Sequence, residues 1–204
     1  MYVLSRIYNK KVNEYMVRLK ELTDPHTLYI TDLVSCSHKR VLRHVYPHLL
    51  LRFEPPLIVG DLIHAGLAKI LEGESEWIAE YTVEKKFEVD GTEYRVLGRA
   101  DLVKVDSNGK PVYVVEVKTS KELPQNAPLE HHITQLQLYM NLLEVDKGSL
   151  IYITSDALVE YEFDRQPINI VDLIRETVND NIHPRYSWEC RYCVYRRLCP
   201  YAKR

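Results

Sequence analysis

The sequence predicts an α/β (α+β) fold in which helices flank a central mixed sheet, and three observations carry that prediction. Helical spacing dominates the N-terminal part, β-type alternation takes over between residues 79 and 118, and helix and strand patterns then alternate. With 204 residues, 46% of them hydrophobic, the chain can bury one well-formed core, so residues 1–204 read as a single domain. Its sub-regions are an N-terminal helical part at 1–50, a core at 57–165 and a C-terminal segment at 166–204.

Val12, Tyr15, Met16 and Leu19 place a first helix over 9–21. A second runs from Thr31 or Asp32 through Val45 and ends before Pro47. After Pro55-Pro56, the apolar run Leu57 to Leu71 predicts a largely buried third helix despite its two glycines. Alternation at Tyr81, Val83, Phe87, Val89, Tyr94, Val96 and Leu97 gives strands over 79–89 and 93–105, and Pro111 to Lys118 is a third. A helix near 128–144, strands near 149–154 and 158–163, and a helix near 169–180 complete the order.

Asn108-Gly109 between two strands is a strong short-range hairpin signal. A two-residue turn centred there pairs Ser107 with Lys110 and, carried outward, Asp101 with Glu116 and Arg99 with Lys118. All four outer residues then emerge on one face, with the Cβ atoms of Asp101 and Glu116 roughly 5 Å apart. Two carboxylates that close repel unless a cation joins them. A hard divalent ion, Mg²⁺ or Mn²⁺, takes such oxygen ligands, and the ammonium of Lys118 can orient an attacking water and offset charge on a phosphate. The set therefore reads as hydrolytic phosphodiester cleavage. The bland alternative is an ion network on a solvated face, but Glu116 sits within the apolar run Val112 to Val117.

Two helical pairs at i and i+4, singled out by the family resemblance given below, add candidates. Gly60 and His64 would share one helix face, with His64 a further metal ligand and Gly60 giving backbone or substrate room to approach. Gln135 and Tyr139 would share another, able to hydrogen-bond or stack on a nucleic-acid strand.

The four cysteines are unevenly placed, with Cys36 near the start and Cys190, Cys193 and Cys199 in a C-x2-C-x5-C cluster. Four thiolates suit one structural zinc or an iron–sulfur cluster tying the two ends together. Core packing and disulfides are the weaker alternatives. The chain opens without an apolar signal segment and has no membrane-spanning run, which points to a reducing cytoplasm. The net charge of -2 excludes a protein that grips nucleic acid by bulk positive charge. Local basic patches remain, with Lys39, Arg40 and Arg43 after the lone cysteine and Arg191, Arg196, Arg197, Lys203 and Arg204 around the others.

Gly98-Arg99-Ala100-Asp101 followed by Glu116-Val117-Lys118-Thr119-Ser120 resembles the PD-(D/E)xK nuclease superfamily. Gly60-Asp61-Leu62-Ile63-His64 resembles the G-x-x-x-H helix of its RecB-like branch, and Gln135-Leu136-Gln137-Leu138-Tyr139 its Q-x-x-x-Y motif. One cysteine before these motifs and three after them is the arrangement of the branch's iron–sulfur members. At this length the chain looks most like the stand-alone CRISPR-associated exonucleases of the fourth Cas family, over about residue 30 to the C-terminus.

The resemblance implies a metal-dependent DNA exonuclease acting on single-stranded DNA or ends, in the processing of fragments for CRISPR spacer acquisition. His64, Asp101, Glu116 and the Val117 backbone carbonyl would hold Mn²⁺ or Mg²⁺, with Lys118, Glu116 and Asp101 catalytic. Gln135, Tyr139 and Arg99 would contact DNA. Cys36, Cys190, Cys193 and Cys199 would ligate a [4Fe-4S] cluster, although the spacing itself also admits [2Fe-2S] or zinc. CRISPR integrase proteins are the expected partners, no membrane is involved, and a homo-oligomer is left open. The alternatives are a non-catalytic DNA-binding or scaffold subunit and a zinc-stapled RecB-like repair nuclease outside CRISPR systems.

Overall fold

A computed structural model describes residues 2–71 and 73–203. The chain forms a mixed sheet with flanking helices and divides into two compact units, Met1–Glu54 with Lys86–Arg95 and Val171–Arg204, and Pro55–Lys85 with Val96–Ile170. No helix among the described residues is long and apolar enough to cross a membrane.

The first unit contains α1 (Val3–Leu22), β1 (Thr27–Tyr29), α2 (Ile30–Leu33), α3 (His38–Val45), a 3-10 turn at Pro47–Leu50, most of α6 (Ile170–Val178) and α7 (Glu189–Tyr192). The helix expected from Thr31 or Asp32 to Val45 is thus two helices broken at Ser35-Cys36-Ser37. Hydrogen bonds from elsewhere in the unit win over local propensity here. The Ser37 N–H donates to the Ile182 carbonyl at 2.8 Å, and its hydroxyl reaches Asp180 Oδ1 at 2.7 Å. Asp32 caps α2 by accepting the Tyr29 N–H at 2.8 Å and takes both oxygens to Arg43 Nη1, at 2.6 and 2.7 Å. Arg43 is therefore buried, as is Arg40, whose guanidinium donates to the Pro25 carbonyl. The basic patch expected at Lys39, Arg40 and Arg43 reduces to Lys39, because two of its three cations serve the interior. Arg204, expected in the other patch, lies outside the described residues.

The second unit holds α4 (Pro55–Ile70), most of β2 (Trp77–Val89) and β3 (Thr92–Val105), β4 (Pro111–Ser120), α5 (Glu130–Leu143), β5 (Lys147–Thr154) and β6 (Leu158–Asp164). Its strands run β3-β4-β5-β6, with β2 also paired to β3. β4 is antiparallel to β3 and parallel to β5. The parallel pair needs a crossover, which α5 supplies. One face of the sheet packs Leu102, Val115 and Val117 against Leu67 and Leu71. By strand alternation, Glu116 and Lys118 point to the other face.

The hairpin joining β3 and β4 differs from the two-residue turn expected. The Gly109 N–H donates to the Asp106 carbonyl at 2.9 Å and Asp106 pairs with Lys110, so the loop has three residues with Gly109 left-handed at φ 77. That alone would slip the register by one. A bulge between Lys104 and Val105 restores it, and Leu102 faces Val115 as the original register requires. The next step outward places Asp101 opposite Glu116.

α4 is less buried than its composition suggests. Gly60 is its one fully buried residue among those described, while Val59, Leu62 and Ile70 are 52%, 55% and 74% exposed. An apolar run without a strong polar stripe shows that a helix is hydrophobic, not that something covers all of it.

Candidate functional site

The second unit collects the carboxylates, the lysine, the histidine and the glutamine. Where the backbone pairing of β3 and β4 ends, the Asp101 side chain takes over, its Oδ2 accepting the Val117 N–H at 2.7 Å. Its Oδ1 stands 3.1 Å from His64 Nδ1 on α4, and this contact raises the imidazole pKa above its usual value. Gly60, one turn earlier, lets α4 approach β4 closely. A Cβ there would meet Thr119 Oγ1 at 3.1 Å, so the room this glycine makes is taken by Thr119.

Glu116 is the centre of the site, only 4% exposed. Its Oε1 accepts from Lys118 Nζ at 2.7 Å and from Gln135 Nε2 at 2.8 Å. Gln135 closes the ring by accepting from Lys118 at 2.8 Å. Oε2 is buried with no hydrogen-bond partner. Burial pushes the Glu116 carboxyl up to about 7; the Lys118 ammonium opposes the shift and the Asp101 carboxylate adds to it. A buried carboxylate oxygen without a partner is costly, and a cation beside Asp101 and Glu116 would relieve both the desolvation and the repulsion. The donor chemistry therefore fits a hard divalent ion. As they stand, however, no three His, Cys, Asp or Glu side chains among the described residues are arranged to hold a metal ion: His64 is engaged with Asp101, and Glu116 with Lys118.

Of the three residues expected on DNA, two are buried and one is exposed. Tyr139 is 3% exposed, its hydroxyl accepting the Arg99 N–H at 3.1 Å and donating to the Arg99 carbonyl at 2.9 Å. With its ring enclosed it has no face for a base to stack on, and it anchors β3 two residues before Asp101. Gln135 is also buried, with its amide spent on Glu116 and Lys118. Arg99 is exposed and pairs with Glu80 at 3.4 Å.

The four cysteines belong to the first unit and all are free thiols. Cys36, at the break between α2 and α3, lines one small cavity with Cys190, Cys193, Cys199, Lys39, Glu189 and Arg196. Burial pushes the Cys36 thiol up to about 11, with the Glu189 carboxylate adding to the effect. Four unpaired thiols lining one cavity have the donor chemistry of a cysteine-ligated metal centre, although as they stand they are not arranged around one ion. The sequence reading missed Glu189. Its buried carboxylate accepts the Cys36 N–H at 2.9 Å, the Arg185 N–H at 2.8 Å and the Tyr186 N–H at 3.0 Å, and meets Lys39 Nζ at 3.3 Å. A charge between Trp188 and Cys190 gives no sign of being internal.

An aspartate within one strand, a Glu-x-Lys strand beside it and a crossover helix with an inward glutamine are the arrangement of the PD-(D/E)XK nuclease superfamily, whose profile matches residues 39–200. The CRISPR-associated exonuclease Cas4 of Saccharolobus solfataricus is 36% identical over 199 residues, 95% of this chain and 96% of that protein. The crystal structure of SSO0001 superposes with a TM-score of 0.89 at 34% identity, covering 99% of this chain and 98% of the other. An alkaline exonuclease of Laribacter hongkongensis shares the fold, with a TM-score of 0.51, 10% identity and coverage of 76% and 86%. The chain belongs to the PD-(D/E)XK nuclease superfamily and, within it, to the family of the CRISPR-associated exonuclease Cas4.

Proposed function

We propose that this protein is a divalent-metal-dependent DNA exonuclease that trims single-stranded DNA or DNA ends for CRISPR spacer acquisition, in company with integrase proteins. The observation that carries the chemistry is the buried Glu116, shared between Lys118 and Gln135 and left with one unpartnered oxygen. His64, Asp101, Glu116 and the Val117 carbonyl would hold Mn²⁺ or Mg²⁺. A bound ion supplies Lewis acidity and a water of lowered pKa. Lys118 orients the attacking water and offsets charge on the phosphate, Gln135 holds Lys118 and Glu116 in place, and Asp101 fixes β4 through Val117. Cys36, Cys190, Cys193 and Cys199 hold a [4Fe-4S] cluster with a structural role. The family resemblance supports the CRISPR setting and the cluster type.

The test is digestion of linear single-stranded DNA with manganese, comparing wild type with Lys118→Ala, and with a circular strand as control. Wild type is expected to degrade the linear strand alone and the variant to lose at least about 100-fold, the range of a positioned acid–base group. Equal digestion by both proteins would reject the site.

A further inference from the structure

On the segment that also carries Cys190 and Cys193, the first unit presents two exposed aromatic rings, Trp188 and Tyr192, next to positive charge. The Tyr186 and Trp188 rings lie nearly parallel, with centroids 5.8 Å apart and 12° between planes. Tyr192 follows Trp188 at 6.4 Å and 57°, and the Arg191 guanidinium lies 5.6 Å from the Tyr192 ring centre. Trp188 is 42% exposed and Tyr192 66%. Large aromatics are usually drawn inward, so a row of them open to water marks an interaction surface.

The charge on this segment selects the partner. Between residues 182 and 203 stand the exposed cations Arg191, Arg196, Arg197 and Lys203. The single acid in that stretch, Glu189, is 2% exposed and consumed by backbone N–H groups and Lys39. The surface therefore offers cations with no acidic counterweight of its own. Flat rings interleaved with arginines match a strand of unpaired nucleotides, whose bases stack on the rings while the phosphates take the cations.

We propose that Trp188 and Tyr192, with Arg191, form a stacking platform for unpaired nucleotides of a DNA strand, separate from the cleavage residues. The platform would hold a strand without sequence preference, since every base has a face to stack.

The test measures binding of a labelled oligothymidylate by anisotropy. The full chain carries Lys118→Ala so that the strand survives, and a gel confirms that it does. Trp188→Ala and Tyr192→Ala are each expected to weaken binding by about fivefold or more, the low end for loss of one stacked base. Trp188→Phe should bind close to the parent. Oligothymidylate should quench the protein's fluorescence, and Trp188→Phe should lose most of that quenching. Arg191→Gln should lower the salt dependence of the affinity by about 0.7 in the logarithmic slope, the contribution of one phosphate. Parental affinity in both alanine variants, or quenching unchanged in Trp188→Phe, overturns the platform. Weakened binding in which Trp188→Phe is no better than Trp188→Ala also overturns it. Strand loss on the gel would instead count against the cleavage site.

Discussion

Glu189→Ala should be among the most destabilising single substitutions in the first unit. The carboxylate accepts three backbone N–H bonds, from Cys36, Arg185 and Tyr186, and pairs with Lys39. Bonds to a charged acceptor contribute about 1.5–3 kcal/mol each, and a buried donor left unpaired costs about 1–3 kcal/mol. The Cys36 bond is fully buried and the other two partly so, which brings the expected loss to about 3–5 kcal/mol, in line with breaking a buried charge pair. Against a total stability of about 5–15 kcal/mol that is a large fraction. Glu189→Gln keeps one carbonyl oxygen, able to serve either Cys36 or the Arg185–Tyr186 pair but not both, so it should lose about half as much. Urea unfolding followed by circular dichroism, with metal content measured on the same samples, reads both effects. A loss below about 1 kcal/mol for Glu189→Ala would show that water replaces the carboxylate and that the reasoning from burial fails.

Two further outcomes are expected. Cys36→Ala should lower iron content and thermal stability before it changes the rate of DNA cleavage per folded molecule, and full iron occupancy in that variant would exclude Cys36 as a ligand. Tyr139→Phe keeps the ring and removes the hydroxyl that holds both backbone groups of Arg99; it should cost about 1–3 kcal/mol in thermal unfolding and lower turnover, with DNA affinity unchanged. Weaker DNA binding at unchanged stability would restore Tyr139 to a substrate role.

The architecture was legible because most elements announce themselves locally. Alternation in β2 and β3, the apolar run of β4 and the spacing of α5 follow from what those residues bury. What escaped depends on distant partners. The break at Cys36 is made by Ser37 bonding to Asp180 and Ile182, and no property of the segment 31–45 reveals residues so far along the chain. Arg40 and Arg43 looked like surface cations because a guanidinium carries the same formal charge whether it meets water or Asp32. The hairpin shows a subtler case. The expected turn was one residue too short and the bulge beside it was invisible, yet the two deviations cancel and Leu102 still faces Val115, the pairing next to Asp101 and Glu116. Register survived because both strands must present their apolar residues to the core, and a slip by one would turn every side chain over.

The same constraint explains why the carboxylate at the centre of the site is an internal one. β4 lies between β3 and β5, with Val115 and Val117 packed under α4 residues. A glutamate at position 116 must therefore point to the opposite face, where α5 stands. Solvent cannot satisfy it there, so neighbouring elements have to, and Gln135 and Lys118 do so for one oxygen only. A third protein donor would complete the network and make the strand more stable, but it would also occupy the one Glu116 oxygen left without a partner. An unpartnered carboxylate oxygen is thus what separates this cluster from a buried ion pair such as Asp32–Arg43, where both carboxylate oxygens are taken and the buried atoms without a partner are the guanidinium Nε and Nη2, which attract no cation. The difference lies in one hydrogen bond that the fold leaves unmade, and it is the structural basis for reading the cluster as a site for a cation.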